Sequence, residues 1–171
     1  SYSSNYNLST TGLRFFTVYG PWGRPDMSYF KFAKNILNHS SIDVYNNGNH
    51  SRDFTYIDDI VNGILLVLAI PAKKDPNWDA KNPSISTSEA PWRIYNIGNA
   101  NPTELMEFIK YMEDLLDKKA ALNFLPKQLG DVKDTLADIS KIKENFGYQP
   151  KTELYNGLEN FVSWYKSFYK Q

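Results

Sequence analysis

The chain has 171 residues and a mass of 19.7 kDa, with 42% hydrophobic and 22% charged residues and 19 Lys+Arg balanced by 19 Asp+Glu. This is the make-up of a single globular domain, too apolar for a disordered segment and large enough to bury a core. Zero net charge excludes a sequence-independent nucleic-acid binder, which needs a basic face to displace counterions, and the absence of Cys excludes disulfides, zinc-thiolate sites and thiol nucleophiles.

The longest apolar run, Ile64 to Ile70, is seven residues, against the ~20 of a membrane span, so no membrane insertion is expected. Ser1 to Tyr6 carry no Lys or Arg and no apolar stretch, unlike a signal peptide. With the missing Cys, this suits a reducing compartment, and a cytoplasmic location is expected. The chain begins without Met, which points to a piece of a longer protein.

Thr11 to Tyr19, dense in aromatic and β-branched residues, predicts one buried strand. Gly20 to Asp26 is a loop with two Pro and two Gly. Tyr29 to Leu37 predicts a helix with Phe30, Ala33, Ile36 and Leu37 on one face. Ile42 to Tyr45 reads as a short strand, Asn46 to Asn49 as a turn, and Arg52 to Ile57 as extended. Asp58 then predicts an N-cap for a helix to about Ala69, with Ile60, Val61, Ile64, Leu65 and Leu68 inward.

Residues 71–93 lose periodicity and read as a surface excursion within the domain, because strand-like Ile94 to Ile97 follows directly. Asn101-Pro102-Thr103-Glu104 predicts a helix start, continued by a stripe of Leu105, Phe108, Ile109, Met112 and Leu116. Leu122 to Leu125 is extended. Asp138 predicts the cap of a helix ending at Gly147. A last helix runs from about Glu153 to Tyr169. Alternating strands and helices give the α/β class.

Several chemistries are missing. The sequence has no glycine-rich phosphate loop, no Tyr followed four residues later by Lys, no triad spacing around His39 or His50, and no metal-ligand cluster. Two of its four Arg, Arg24 and Arg52, lie in or beside loops at strand ends, where open α/β sheets bind ligands, and an Arg fork matches phosphate. They could clamp one diphosphate, or pair with Asp26 and Asp53. Tyr45 and Phe54 read as a stacking surface or as core. Asp131 reads as a ribose acceptor or a turn residue. Asp58 and Asp59 read as helix capping, and His39 and His50 as surface residues.

Arg14 to Met27 (Arg-Phe-Phe-Thr-Val-Tyr-Gly-Pro-Trp-Gly-Arg-Pro-Asp-Met) resembles the signature of the UDP-glucuronate 4-epimerases, NAD-dependent epimerase/dehydratases of the extended short-chain dehydrogenase class. Arg52 to Val61, Tyr95 to Asn99, Gly130-Asp131-Val132 with Ala137-Asp138, Phe146 to Pro150 and Phe161 to Tyr165 resemble its further blocks. The resemblance covers the whole chain and implies its fold: an α/β substrate-binding C-terminal portion, residues 1–171, carrying one or two strands of the Rossmann sheet at 11–20 and 93–98. The NAD-binding domain and the Tyr-Lys pair would lie upstream, leaving a piece that binds UDP-sugar without turning it over.

The resemblance also implies roles. NAD would be held mainly by that upstream domain and would take hydride from C4 of the sugar, giving a 4-keto intermediate that is reduced on the other face. Thr17 would meet the glucuronate carboxylate, Arg24 and Arg52 the diphosphate, Val44 and Tyr45 the uracil side, Asp131 the ribose and Phe15 the nicotinamide. Many relatives have Arg three residues before the Asp, where this chain has Gln128. The implied product is UDP-galacturonate, for cell-surface polysaccharide synthesis. A non-catalytic nucleotide-sugar-binding module, or a related UDP-sugar epimerase or decarboxylase, is the alternative. The full-length enzyme is expected as a homodimer built from upstream helices. The isolated chain is expected to self-associate non-physiologically through residues 1–19.

Overall fold

The computed structural model describes residues 1–170. A short helix, α1 (Tyr2–Tyr6), precedes β1 (Thr10–Phe15) and β2 (Thr17–Tyr19). Then come α2 (Ser28–Leu37), β3 (Ser41–Val44), a 3-10 turn at Tyr45–Gly48, β4 (Ser51–Tyr56) and α3 (Ile57–Leu68). The expected 71–93 excursion ends two residues early, at 91, and β5 (Trp92–Ile97), β6 (Pro102–Glu104), α4 (Leu105–Leu116) and β7 (Ala121–Phe124) follow. The chain ends in α5 (Ser140–Phe146) and α6 (Leu154–Tyr169).

The expected single strand from Thr11 to Tyr19 is two. β1 runs parallel to β5, and β2 runs parallel to β4, with Thr17 opposite Phe54. The switch falls at Phe16, whose amide still donates to Ile97 O at 3.1 Å. Beyond Ile97 the partner strand turns away, because Asp53 accepts the amides of Asn99 and Ala100. β6 pairs antiparallel with β4, and β3 pairs parallel with β7.

The larger core packs α2, α4 and α6 against β2, β3 and β4. Tyr19 sits in it edge-on to Tyr29, Phe54 and Tyr56, and Phe54 stacks on Phe108 at 4.6 Å. A smaller core joins Ile60 and Val67 of α3 to Tyr95 and Ile97 of β5 and to Ile142 and Tyr148.

Three local expectations are corrected. The helix expected to start at Asn101 starts at Leu105: Pro102 to Glu104 pair with β4, and the Leu105 amide donates to His50 O at 3.0 Å, so no side-chain cap is needed. Asp58 is not an N-cap; the helix begins at Ile57, and neither acid caps it with its side chain. Asp59 is instead buried, accepting the amides of Lys151 and Thr152 at 3.1 and 3.0 Å.

The buried face of α3 is also rotated. Ile60 is inward as expected, but with Asp59, Gly63 and Val67, while Val61, Ile64, Leu65 and Leu68 are exposed. Gly63 sets this face. A Cβ there would stand 2.9 Å from the Tyr148 ring and closer still to Ile97, so the helix approaches β5 along its smallest residue. The helix expected at 138–147 forms and Gly147 ends it at φ 69°, but its N-cap is Ile139; Asp138 lies one residue earlier and accepts the Ser140 amide at 3.0 Å. No helix among the described residues is long and apolar enough to cross a membrane.

Candidate functional site

β4 builds the site by alternation. Residues two apart on a strand share a face, so His50, Arg52 and Phe54 line one cavity of about 320 Å³. Ser28, Lys31, Phe32 and Asn35 of α2 form the facing wall, with Ile42, Asp43 and Tyr45 from β3 and the turn after it. Leu105 and Asp131 complete the lining. The cavity thus has aromatic walls and a rim of both charges.

At that rim Arg52 Nη2 donates to Asp131 Oδ1 at 2.7 Å, with both side chains largely sheltered. Arg52 Nη1 donates to Ser51 O at 2.8 Å and to Lys133 O at 2.9 Å. Asp134 anchors the same loop by accepting from the Ser51 amide and hydroxyl, and the Ser51 hydroxyl holds its carboxyl below the usual carboxylate range. The loop bearing Asp131 is therefore laced to β4 from both sides of Arg52.

A second cavity, of about 430 Å³, lies beyond the first turn of α2. It is lined by Phe15, Thr17, Trp22, Arg24, Met27 and Tyr29, among others. Gly20, at φ 140°, opens its loop; a Cβ there would lie 2.7 Å from Ile57. Arg24 is highly exposed, and its Nε and Nη2 both donate to Asp26. Thr17, half-buried on β2, is the ladder partner of Phe54, so the β2–β4 pair separates the two cavities. Between them stands the amino end of α2, whose first turn has neither a side-chain cap nor an acidic residue.

The expected site residues therefore fall into two groups. Tyr45, Arg52 and Asp131 meet in the first cavity, and Phe15, Thr17 and Arg24 meet in the second. Val44 belongs to the core with no exposure and offers a ligand no side-chain surface. Asp53 pairs with neither Arg. Fully buried, it accepts the amides of Asn99, Ala100 and Ala137 at 3.0, 2.9 and 2.8 Å.

Ser28, Lys31 and Asn35 are cavity residues that the sequence reading passed over, and His50 is one that it placed on the surface. Their signal is periodicity: 28, 31 and 35 share the polar face of α2, and 50 precedes by two and four the residues 52 and 54 that share a face of β4. The surface assignment of His50 is corrected, since its Nδ1 is buried without a hydrogen-bond partner among the described residues. Burial, and then Arg52, holds its imidazole pKa below the ordinary value.

The model of the NAD dependent epimerase/dehydratase family matches residues 1–98. The chain belongs to that family. Among its relatives, Protein CapI of Staphylococcus aureus is 48% identical over 171 residues, covering 100% of this chain and 51% of its own length. UDP-glucuronate 4-epimerase 2 of Arabidopsis thaliana is 46% identical, covering 100% of this chain and 39% of its own. In structure, the UDP-glucuronic acid 4-epimerase of Bacillus cereus, crystallised with UDP-glucuronic acid and NAD, superposes with a TM-score of 0.81. It is 32% identical and covers 98% of this chain and 48% of its own. The chain spans about half the length of the relatives it matches.

Proposed function

We propose that the chain is the substrate-binding part of an NAD-dependent UDP-glucuronate 4-epimerase, which interconverts UDP-glucuronate and UDP-galacturonate through a 4-keto sugar and supplies a uronate for cell-surface polysaccharide. The observation that carries this reading is the Arg52–Asp131 pair at the mouth of an aromatic-walled cavity. It occurs in a chain similar along its whole length to UDP-glucuronate 4-epimerases.

In this reading the nucleotide enters the first cavity. Tyr45, next to the core residue Val44, flanks the uracil, and Asp131 accepts from the ribose. Arg52 binds the diphosphate, which lies across the uncapped amides of α2, where the helix dipole favours an anion. The sugar then reaches the second cavity, where Arg24 closes over the phosphate and the Thr17 hydroxyl donates to the uronate carboxylate. The mixed lining of the first cavity suits a nucleotide, with a flat apolar body and an ionic tail.

Phe15 fits an NAD contact. It ends the parallel strand β1, is half exposed and lines the second cavity beside Thr17, so it offers the nicotinamide an apolar face. The 171 residues contain no glycine-rich turn for the pyrophosphate, so we assign most of the hold on the cofactor to residues outside them. Bound NAD supplies the hydride acceptor for C4. This chain's share is to fix the diphosphate and the carboxylate while the sugar presents one face and then the other.

The test is incubation of the full-length protein with UDP-glucuronate and NAD, resolving UDP-galacturonate by chromatography. Appearance of the galacturonate is expected, and an unchanged substrate refutes the reading. The purified 171-residue chain, free of host epimerase, is expected to give no conversion.

A further inference from the structure

We infer that His50 is a further ligand-binding residue of the first cavity, donating its Nε2–H to a ribose or diphosphate oxygen of the bound nucleotide. This rests on the nucleotide reading of that cavity.

The geometry sets the tautomer. His50 lines the cavity, yet its Nδ1 is buried and unpartnered among the described residues, so the ring edge open to the cavity carries Nε2. A buried N–H without an acceptor costs more than a buried lone pair, because a strong donor loses its water for nothing. The proton of the neutral ring therefore sits on Nε2.

The surroundings keep the ring neutral. Burial, and after it Arg52 on β4, disfavours its charge, while Asp131 and Asp134 of the adjoining loop favour it less strongly. Lys31 of α2 and Asp43 of β3 also line the cavity with opposite charges, the turn adds the phenol of Tyr45, and α4 adds only the apolar Leu105. Position completes the case. His50 immediately precedes β4, two residues before Arg52 and about 7 Å from it if the chain is extended, and both line the same cavity, so an oxygen-rich ligand held by Arg52 extends past His50. The ring is also well placed, because its backbone is fixed at both ends: the His50 amide donates to Gly48 O, and its carbonyl accepts from Leu105.

The experiment titrates the chain with UDP-glucose by calorimetry at pH 7.5. UDP-glucose is chosen because its diphosphate carries no group titrating near neutrality. His50→Met should lose about tenfold in affinity, the worth of one hydrogen bond at the upper end of the usual range. His50→Gln places an amide N–H near the Nε2 position and should recover most of the loss. His50→Asn places it at the Nδ1 position and should not. Uridine as a second probe separates the acceptors: a loss shared by uridine assigns the ribose, and a loss confined to UDP-glucose assigns the diphosphate.

Long-range nitrogen–proton NMR of the wild-type chain should show a single Nε2–H tautomer, whether or not the variants fold. An Nδ1–H tautomer, wild-type affinity in His50→Met, or equal rescue by Asn and Gln overturns the inference. If Arg52→Ala loses binding while His50→Met does not, the nucleotide reading survives and the inference alone fails. If UDP-glucose does not bind the wild-type chain, both fail.

Discussion

Asp53 gives the sharpest test of how the site is held. Its carboxylate has no exposure and accepts three backbone amides, from Asn99, Ala100 and Ala137. Asp53→Ala leaves all three donors facing a void, at about 1–3 kcal/mol for each buried group left unpaired, so a net loss of about 3–6 kcal/mol is expected after partial relaxation. Asp53→Asn keeps one oxygen for Ala100 and Ala137 but turns an NH₂ toward the Asn99 amide. It should cost roughly 2–4 kcal/mol, from one lost bond and the weakening of the others. Urea unfolding followed by tryptophan fluorescence measures both. Ala137 also lies on the segment that carries Asp131 to Arg52, so Asp53→Ala should weaken UDP-glucose binding even where the protein remains folded. A loss below about 0.5 kcal/mol, the scale of an ordinary surface substitution, would refute the idea that this carboxylate ties the 99–100 turn and the Ala137 segment to β4.

Arg24→Ala and Arg52→Ala should each lower UDP-sugar affinity in the full-length enzyme by about tenfold or more, with Lys restoring only part, because the planar fork is lost. Asp26→Asn should raise affinity, since Asp26 competes for the same two Arg24 nitrogens; equal dissociation constants would leave Arg24 as a loop residue only. Thr17→Val should reduce the preference for UDP-glucuronate over UDP-glucose more than it reduces affinity for UDP, and equal losses on both sugars would place Thr17 in the fold. The isolated chain should self-associate through residues 1–19, because β1 is paired on one edge only and Phe15 and Leu8 are exposed beside it. Light scattering showing a monomer, with the 13–18 amides protected from exchange, would refute this.

Local signals in the sequence carried the elements but not their partners. The aromatic and β-branched run at 11–19 correctly reads as extended; its division at Phe16 depends on where β5 turns away, which Asp53 decides through an amide 46 residues downstream. On α3 the apolar stripe Val61, Ile64, Leu65 and Leu68 is genuine, but hydrophobicity names a face without saying what lies against it. The packed face is chosen by the closest approach, at Gly63. Asp59 shows the same limit, since capping is a local idea and its actual partners are more than 90 residues away. At the site, spacing alone left Arg52 and Asp131 as unrelated loop residues. Only the resemblance joined them, and it brought no expectation for His50, whose signal was a two-residue alternation with Arg52.

The two Arg that the nucleotide reading places on the diphosphate are prepared in opposite ways. Arg52 has both hydrogens of Nη1 committed to the Ser51 and Lys133 carbonyls and one of Nη2 to Asp131. A guanidinium has five N–H bonds, so Nε–H and one Nη2–H remain uncommitted among the described residues. The loop thus fixes the guanidinium and leaves it two donors for an anion, with no bond to be broken first. Arg24 is the reverse. Its Nε and Nη2 edge is already turned to Asp26, on a highly exposed side chain, so an incoming phosphate must displace a carboxylate. Exposed ion pairs are weak, at about 0–1 kcal/mol, and the exchange costs little when the phosphate is already held nearby. Arg52 therefore acts as the preset anchor that selects the ligand, and Arg24 as a clasp that exchanges one anion for another once the ligand has arrived.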